Sequence, residues 1–275
     1  MKALKTSIII GLLFAFSSTA WAATQYGTAL VEKGEMLILR QGKKITIKPE
    51  NNAVPINEED LLRVRPQSKV TLTSNEKASI ELGSNAVFHV KPWEDKKDKG
   101  FARMLFGKFR AAVKGLTGGE RFNVKTATAV VGVKGTEYLS WVGPQGQTMI
   151  IGRESTPELT GLVGPTQPVT PNQISVAGYG IPASKPVTAP PEVQRELSET
   201  TLDSPSVNTN AANLFPAQAA LIREGIITQE QVDKAKEETA SVDPLKDILG
   251  DTPKIDYDLD DAKENLFRAK VEVDF

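Results

Sequence analysis

Val70-Thr71-Leu72-Thr73-Ser74-Asn75-Glu76-Lys77-Ala78-Ser79-Ile80-Glu81-Leu82-Gly83-Ser84-Asn85-Ala86-Val87-Phe88-His89-Val90 decides the fold class. Three short pieces in it alternate or nearly alternate apolar and polar residues: Val70-Thr71-Leu72, Ile80-Glu81-Leu82 and Val87-Phe88-His89-Val90. Ser74-Asn75 and Gly83-Ser84-Asn85 separate them with turn-forming residues. A period of two sends successive side chains to opposite faces of a strand, so each piece has one buried and one wet face.

The pattern continues in both directions. Before it lie Met36-Leu37-Ile38-Leu39, Ile45-Thr46-Ile47 and Leu62-Arg63-Val64, divided by Gln41-Gly42, Asn51-Asn52 and Pro66. After it, the charged stretch Pro92 to Gly100 reads as a loop, and Phe109, Ala111 and Val113 alternate in a strand. Periodicity leaves Phe101 to Phe106 open between a helical turn and a strand. Strands resume at Arg121–Thr126, Glu137–Val142 and Thr148–Ile151, the last two joined by the turn Gly143-Pro144-Gln145-Gly146. Weaker segments follow at 158–162 and 173–176. Strands spaced about 8–12 residues apart predict a mainly β domain of stacked or rolled architecture over residues 23–181.

Residues 182–212 hold Pro182, Pro186, Pro190 and Pro191 among Ser, Thr, Ala and Asn, which predicts an extended, mobile linker. Residues 213–275 predict a small helical, acidic tail. Pro216 suits a first helical position, Ala217 to Glu224 form a helix stopped by Gly225, and Thr228 with Gln231 makes a capping box for a second helix through about Thr239. Leu221, Ile222, Ile226, Ile227 and Val232 are too few apolar residues for this hairpin to fold alone.

Lys2 and Lys5, the apolar run Ile8 to Phe16 and the small-x-small site Ala20-Trp21-Ala22 read as a secretory signal over residues 1–22, cut after Ala22. The protein is therefore expected in the periplasm or the medium. No later segment approaches the roughly 20 apolar residues of a membrane helix, so no span is expected after cleavage. With no cysteine, neither a disulfide nor a Cys-linked lipid anchor is available. The net charge of −1 carries no nucleic-acid signature. The charge is uneven: residues 91–134 hold 11 Lys/Arg against 4 Asp/Glu, and residues 192–275 hold 9 against 19. Either the tail lies near the basic stretch, or each end meets its own partner, or both are solvated surfaces.

Little in the chain selects a catalytic site. His89 is the only histidine, lies in an alternating strand, and has no Gly-x-Ser-x-Gly nucleophile elbow to accompany it. One His and no Cys argue against structural zinc. Asp256, Asp258, Asp260 and Asp261 alternate, but Asp261 and Phe267 stand where a calcium loop of this register needs Gly and Glu. Gly115-Leu116-Thr117-Gly118-Gly119 lacks the Gly-Lys-Ser/Thr end of a phosphate loop. No cofactor is expected. Lys108, Arg110, Lys114, Arg121 and Lys125 form either an anionic-ligand face or a lysine-guarded strand edge. Val271, Val273 and Phe275 alternate at the C-terminus and could add to a partner's sheet edge.

Thr126-Ala127-Thr128-Ala129-Val130-Val131-Gly132-Val133-Lys134-Gly135-Thr136-Glu137-Tyr138 stands apart. Gly132 and Gly135 permit close approach or positive φ, and Thr126, Thr128 and Thr136 offer hydroxyls to turn amides. This reads as a tight, structural corner between two strands. The stretch resembles the Thr-x-Thr-Ala-x-x-Gly-Val-Arg-Gly-Thr-Glu-Phe signature of the FecR domain family, with Lys134 for the usual Arg and Tyr138 for the usual Phe. Met104 to Arg110 is similar to the family's Leu-Leu-x-Gly-x-Val/Leu-Arg strand. Leu61 to Val64 resembles the strand that follows its Gly-Asp, with Glu59 in place of the Gly, and Ala78 to Val90 resembles its strand pair around an Asn turn.

The resemblance spans about residues 27–180. It implies a solenoid-like extracytoplasmic β domain. Its best-known members relay a signal from an outer-membrane transporter to a sigma factor, through a cytoplasmic domain. Only seven residues precede the apolar run here, so that relay is not expected to carry over. The expected role is a non-catalytic module that binds or scaffolds an envelope protein or a cell-wall glycan. The alternatives are an accessory of a FecR-type signalling pathway and an enzyme acting on cell-wall glycan.

Overall fold

The computed structural model describes residues 24–50, 52–75, 78–90, 99–113, 122–133, 135, 137–143, 145–198 and 213–239. The expected signal region 1–22, residues 92–98 of the expected charged loop, residues 199–212 and the acidic end 240–275 lie outside them, and Lys99 and Gly100 belong to a strand rather than to that loop. In chain order the strands are β1 (Gln25–Lys33), β2 (Met36–Arg40), β3 (Lys43–Ile47), β4 (Val54–Asn57), β5 (Leu61–Val64), β6 (Lys69–Ser74), β7 (Ala78–Leu82), β8 (Val87–His89) and β9 (Lys99–Val113). They continue as β10 (Phe122–Lys125), β11 (Ala129–Val133), β12 (Glu137–Val142), β13 (Thr148–Glu154), β14 (Glu158–Gly161), β15 (Gln167–Pro168), β16 (Gln173–Ala177) and β17 (Val187–Thr188). The helices are α1 (Pro191–Ser198), α2 (Gln218–Arg223) and α3 (Gln229–Thr239).

Two sheets share one strand. The first runs β4-β1-β6-β7-β9-β12-β13-β16-β17. The second runs β3-β2-β5-β8-β9-β10-β11-β14-β15. β9 is central in both. Its first half pairs with β8 and β10, and its second half pairs with β7 and β12. The segment Phe101 to Phe106, ambiguous by periodicity, is the first half of this 15-residue strand.

Gly107 sits where β9 changes sheet, at φ +108°, and a Cβ there would lie 2.6 Å from the Ala86 Cα. Only a residue without a side chain makes this bend against the β7–β8 turn. The expectation of a mainly β fold therefore holds. A solenoid is not what the register shows. Solenoid coils stack in parallel, whereas among the described strand pairs only β9–β10 is parallel, and the sheet does not close on itself.

The inner faces of the two sheets enclose one core. Leu72, Ile80, Phe109, Tyr138 and Ile150 from the first sheet meet Ile38, Leu62, Phe88, Met104 and Val124 from the second. In β6 and β7 the alternation gives one buried face and one half-exposed face. β12 and β13 differ: Tyr138-Leu139-Ser140-Trp141-Val142 and Met149-Ile150-Ile151 are buried throughout. Leu139, Trp141, Met149, Ile151, Ile174 and Val176 face outward and are covered by α1, α2 and α3. Phe215 packs on Trp141 with ring centroids 6.2 Å apart, and Val193, Leu197, Leu221, Ile227 and Val232 complete this second core.

The mobile linker expected from Pro182 onward is thus corrected for residues 182–198. Pro191 opens α1, where a missing N–H costs nothing, and Val193 and Leu197, four apart, bury one face of that helix on the sheet. The capping box at Thr228 is present: the Gln231 N–H donates to Thr228 Oγ1 at 3.1 Å, and the Thr228 N–H to Gln231 Oε1 at 2.9 Å. Pro216 is not the first helical residue: α2 starts at Gln218, preceded by Ala217 at the N-cap in a left-handed conformation (φ 47°).

Replacing Gly107 with Ala adds left-handed strain and a backbone clash, and should lower stability by about 2–4 kcal/mol, read as a fall in the urea midpoint.

Candidate functional site

The Thr-x-Thr corner is a buried clamp between the two sheets. Thr126 Oγ1 accepts from the Ala129 N–H at 2.9 Å and from the Thr128 N–H at 3.3 Å, closing the β10–β11 turn. It lies 2.6 Å from Thr148 Oγ1 at the start of β13 in the other sheet. Thr128 Oγ1 donates to the Gly146 carbonyl at 2.5 Å. Two threonines of one hairpin thereby hold the turn of another. Gly146 itself has φ +82°, and a Cβ there would come within 2.8 Å of the Ala127 Cβ. Thr128 also offers its carbonyl to the Leu162 N–H at 3.1 Å, which ties the β14–β15 tip to the same clamp.

The rest of the corner is equally committed to structure. Gly132 pairs with Asn123, whose Oδ1 would lie 2.9 Å from an added Cβ, and Val133 is buried in the core. Gly135 turns the chain at φ +94°. Glu137 Oε2 accepts from Arg110 Nη2 at 2.8 Å across β12 and β9, and this bond holds the guanidinium more firmly charged than usual. Tyr138 meets Phe109 edge-on at 5.7 Å, and burial pushes its phenol well above the ordinary range. Its hydroxyl has no hydrogen-bond partner among the described residues. Lys134 and Thr136 lie outside those residues.

The expected anionic-ligand face is not one face. Lys108 is buried on the outer side of the first sheet, and its Nζ donates to the Glu196 carbonyl at 3.3 Å, in the last turn of α1. Arg110 is engaged by Glu137 and lies 3.8 Å from Glu81. Lys125 belongs to the other sheet, opposite Arg103, and burial together with that neighbouring charge lowers its pKa. Lys114 and Arg121 lie outside the described residues, as do Asp256 to Asp261 and the C-terminal Val271, Val273 and Phe275. His89 is buried in β8, with Nε2 3.3 Å from the Glu59 carboxylate. Among the described residues, no group of three metal-ligating side chains converges.

Sequence reasoning missed Asp60. Its fully buried carboxylate accepts from Arg40 Nε at 2.8 Å, Arg40 Nη2 at 2.6 Å and the Asn57 N–H at 2.7 Å. The signal was present in the Gly-Asp position before β5, but the Arg partner is 20 residues away on β2.

Residues 60–152 match the family model described as FecR protein, 93 of 275 residues. Over this interval the chain is similar to the FecR family. The matched interval opens at Asp60 and takes in β5 to β12 and most of β13, including the Gly107 bend and the threonine clamp. Two crystal structures of a candidate anti-sigma factor from Parabacteroides distasonis align at 16% identity and a TM-score of 0.38, over 42% of this chain. The alignment spans about half of that protein, 53% of its length. No curated protein matches the chain.

Of the three departures from the FecR pattern, Lys134 lies outside the described residues and the other two have a physical trace. Glu59, in place of Gly, adopts φ 68°, a conformation that favours glycine. Tyr138, in place of Phe, buries a hydroxyl for which the described residues supply no acceptor. Tyr138→Phe should therefore leave the thermal midpoint unchanged or raise it, since it removes a buried unpaired oxygen. Thr126→Val should cost about 1–3 kcal/mol by stranding the Ala129 and Thr128 amides, whereas Thr126→Ser should recover most of that loss in the same unfolding assay.

Proposed function

We propose that this chain is a non-catalytic accessory of a FecR-type signalling pathway, acting outside the cytoplasm. The FecR match over residues 60–152 carries the reading, because it covers the strands that organise both sheets. The signal-like residues 1–22 support export. Among the described residues no helix is long and apolar enough to cross a membrane. Thr126, Thr128, Lys108, Arg110 and Glu137 are spent on internal contacts, which fits a module that works through its surface.

Deleting the gene should alter transcript levels of a defined set of envelope genes while detergent resistance stays normal. Lost detergent resistance with an unchanged transcript profile would instead favour a scaffold that binds an envelope protein or a cell-wall glycan.

A further inference from the structure

Leu162 and Val163 are each 59% exposed, against 37% for Ile45, the other exposed large hydrophobic among the described residues. They stand side by side at the tip between β14 and β15. The tip is held in place rather than loosely tethered. The Leu162 N–H is bound to the Thr128 carbonyl at 3.1 Å, and Thr160 Oγ1 lies 2.8 Å from Thr166 Oγ1 across the base. Gly161 and Gly164 flank the pair, and added Cβ atoms would come within 3.0 Å of the Ala183 N and the Pro182 Cβ. A rigid base keeps two large apolar side chains in water, where each would gain by leaving it.

The segment that carries the tip is itself uncharged, with the Glu238 carboxylate of α3 reaching it at Gly180. From Leu159 to Ser184 the chain runs 26 residues without an Asp, Glu, Lys or Arg, although 24% of the whole sequence is charged. Addition of a partner strand at this edge is opposed by Pro165, Pro168 and Pro171, around the short outer strand β15. The apolar area of two side chains is also far below the roughly 1,000 Å² of a stable protein interface, so a second copy of the chain is not the occupant. An apolar tip that carries no charge needs no shape-matched partner if it enters a lipid interface.

We propose that the Leu162–Val163 tip docks shallowly into the surface of a lipid bilayer, by apolar contact and without need of anionic lipid. The inference stands on the tip alone and does not require the signalling role.

The chain has no cysteine, so Val163→Cys in the full-length protein gives a single site for an environment-sensitive fluorophore. Phosphatidylcholine vesicles should shift its emission to the blue and allow quenching by nitroxide lipids, equally with and without added phosphatidylglycerol. The same label at Ile45→Cys, on the opposite edge of the second sheet, should not respond. Adding Leu162→Asp to the labelled chain should raise the lipid concentration for half-maximal response about tenfold or more. This local reading is independent of any anchoring by the apolar residues 8–16. An unresponsive label at 163, an equal response at 45, or a strict need for anionic lipid would each overturn the proposal.

Discussion

β9 hydrogen-bonds in both sheets, and the rest of the molecule is arranged around that fact. A strand that serves two sheets must turn from one plane to the other within its own length. Gly107 makes the turn, at φ +108° and pressed against the Ala86 backbone. On one side of β9, β5 to β8 build outward in both layers. On the other side, the chain lays down β10–β11, β12–β13 and β14–β15 alternately on the two sheets. Every later hairpin inherits its position from this bend.

The threonine clamp performs a second task of the same kind. Two stacked sheets held only by apolar contact can slide, since burial is non-directional. Thr126, Thr128 and Thr148 add directional bonds that set the β10–β11 hairpin against the β12–β13 turn. Their burial raises the cost of breaking them, because the freed amides and carbonyls would find no water. The most recognisable stretch of the sequence is thus a device for registering two sheets, with Arg110, Glu137 and Tyr138 spent on the same corner.

The helical layer follows from a local excess of apolar surface. β6 and β7 bury one face and leave the other half-exposed, and among the described residues no helix covers them. β12, β13 and β16 carry apolar residues on both faces, so the outer one must be covered. α1, α2 and α3 supply the cover, and Phe215 against Trp141 marks its centre. A helical pair with too little apolar content to fold alone becomes stable because half of its core belongs to the sheet. The exposed tip at Leu162 and Val163 lies beyond this covered zone, at the edge formed by β14 and β15.

The sequence by itself determined the strands with clean alternation, the β12–β13 hairpin and the capping box at Thr228. Each is written in residues close together in the chain, where period, turn chemistry and capping act. The tertiary structure alone decided the rest. Phe101 to Phe106 looked ambiguous because its two halves answer to different sheets. Pro182 to Ser198 looked like a linker because proline content hides the Val193 and Leu197 stripe until its apolar partner surface is known. The basic residues read either as one ligand face or as a guarded strand edge because charge is additive along a chain but not in space: Lys108 and Lys125 end on different sheets. Asp60 needed Arg40, 20 residues away, to be seen at all. Local pattern specifies what each segment prefers, and long-range pairing specifies which face of it is left to water.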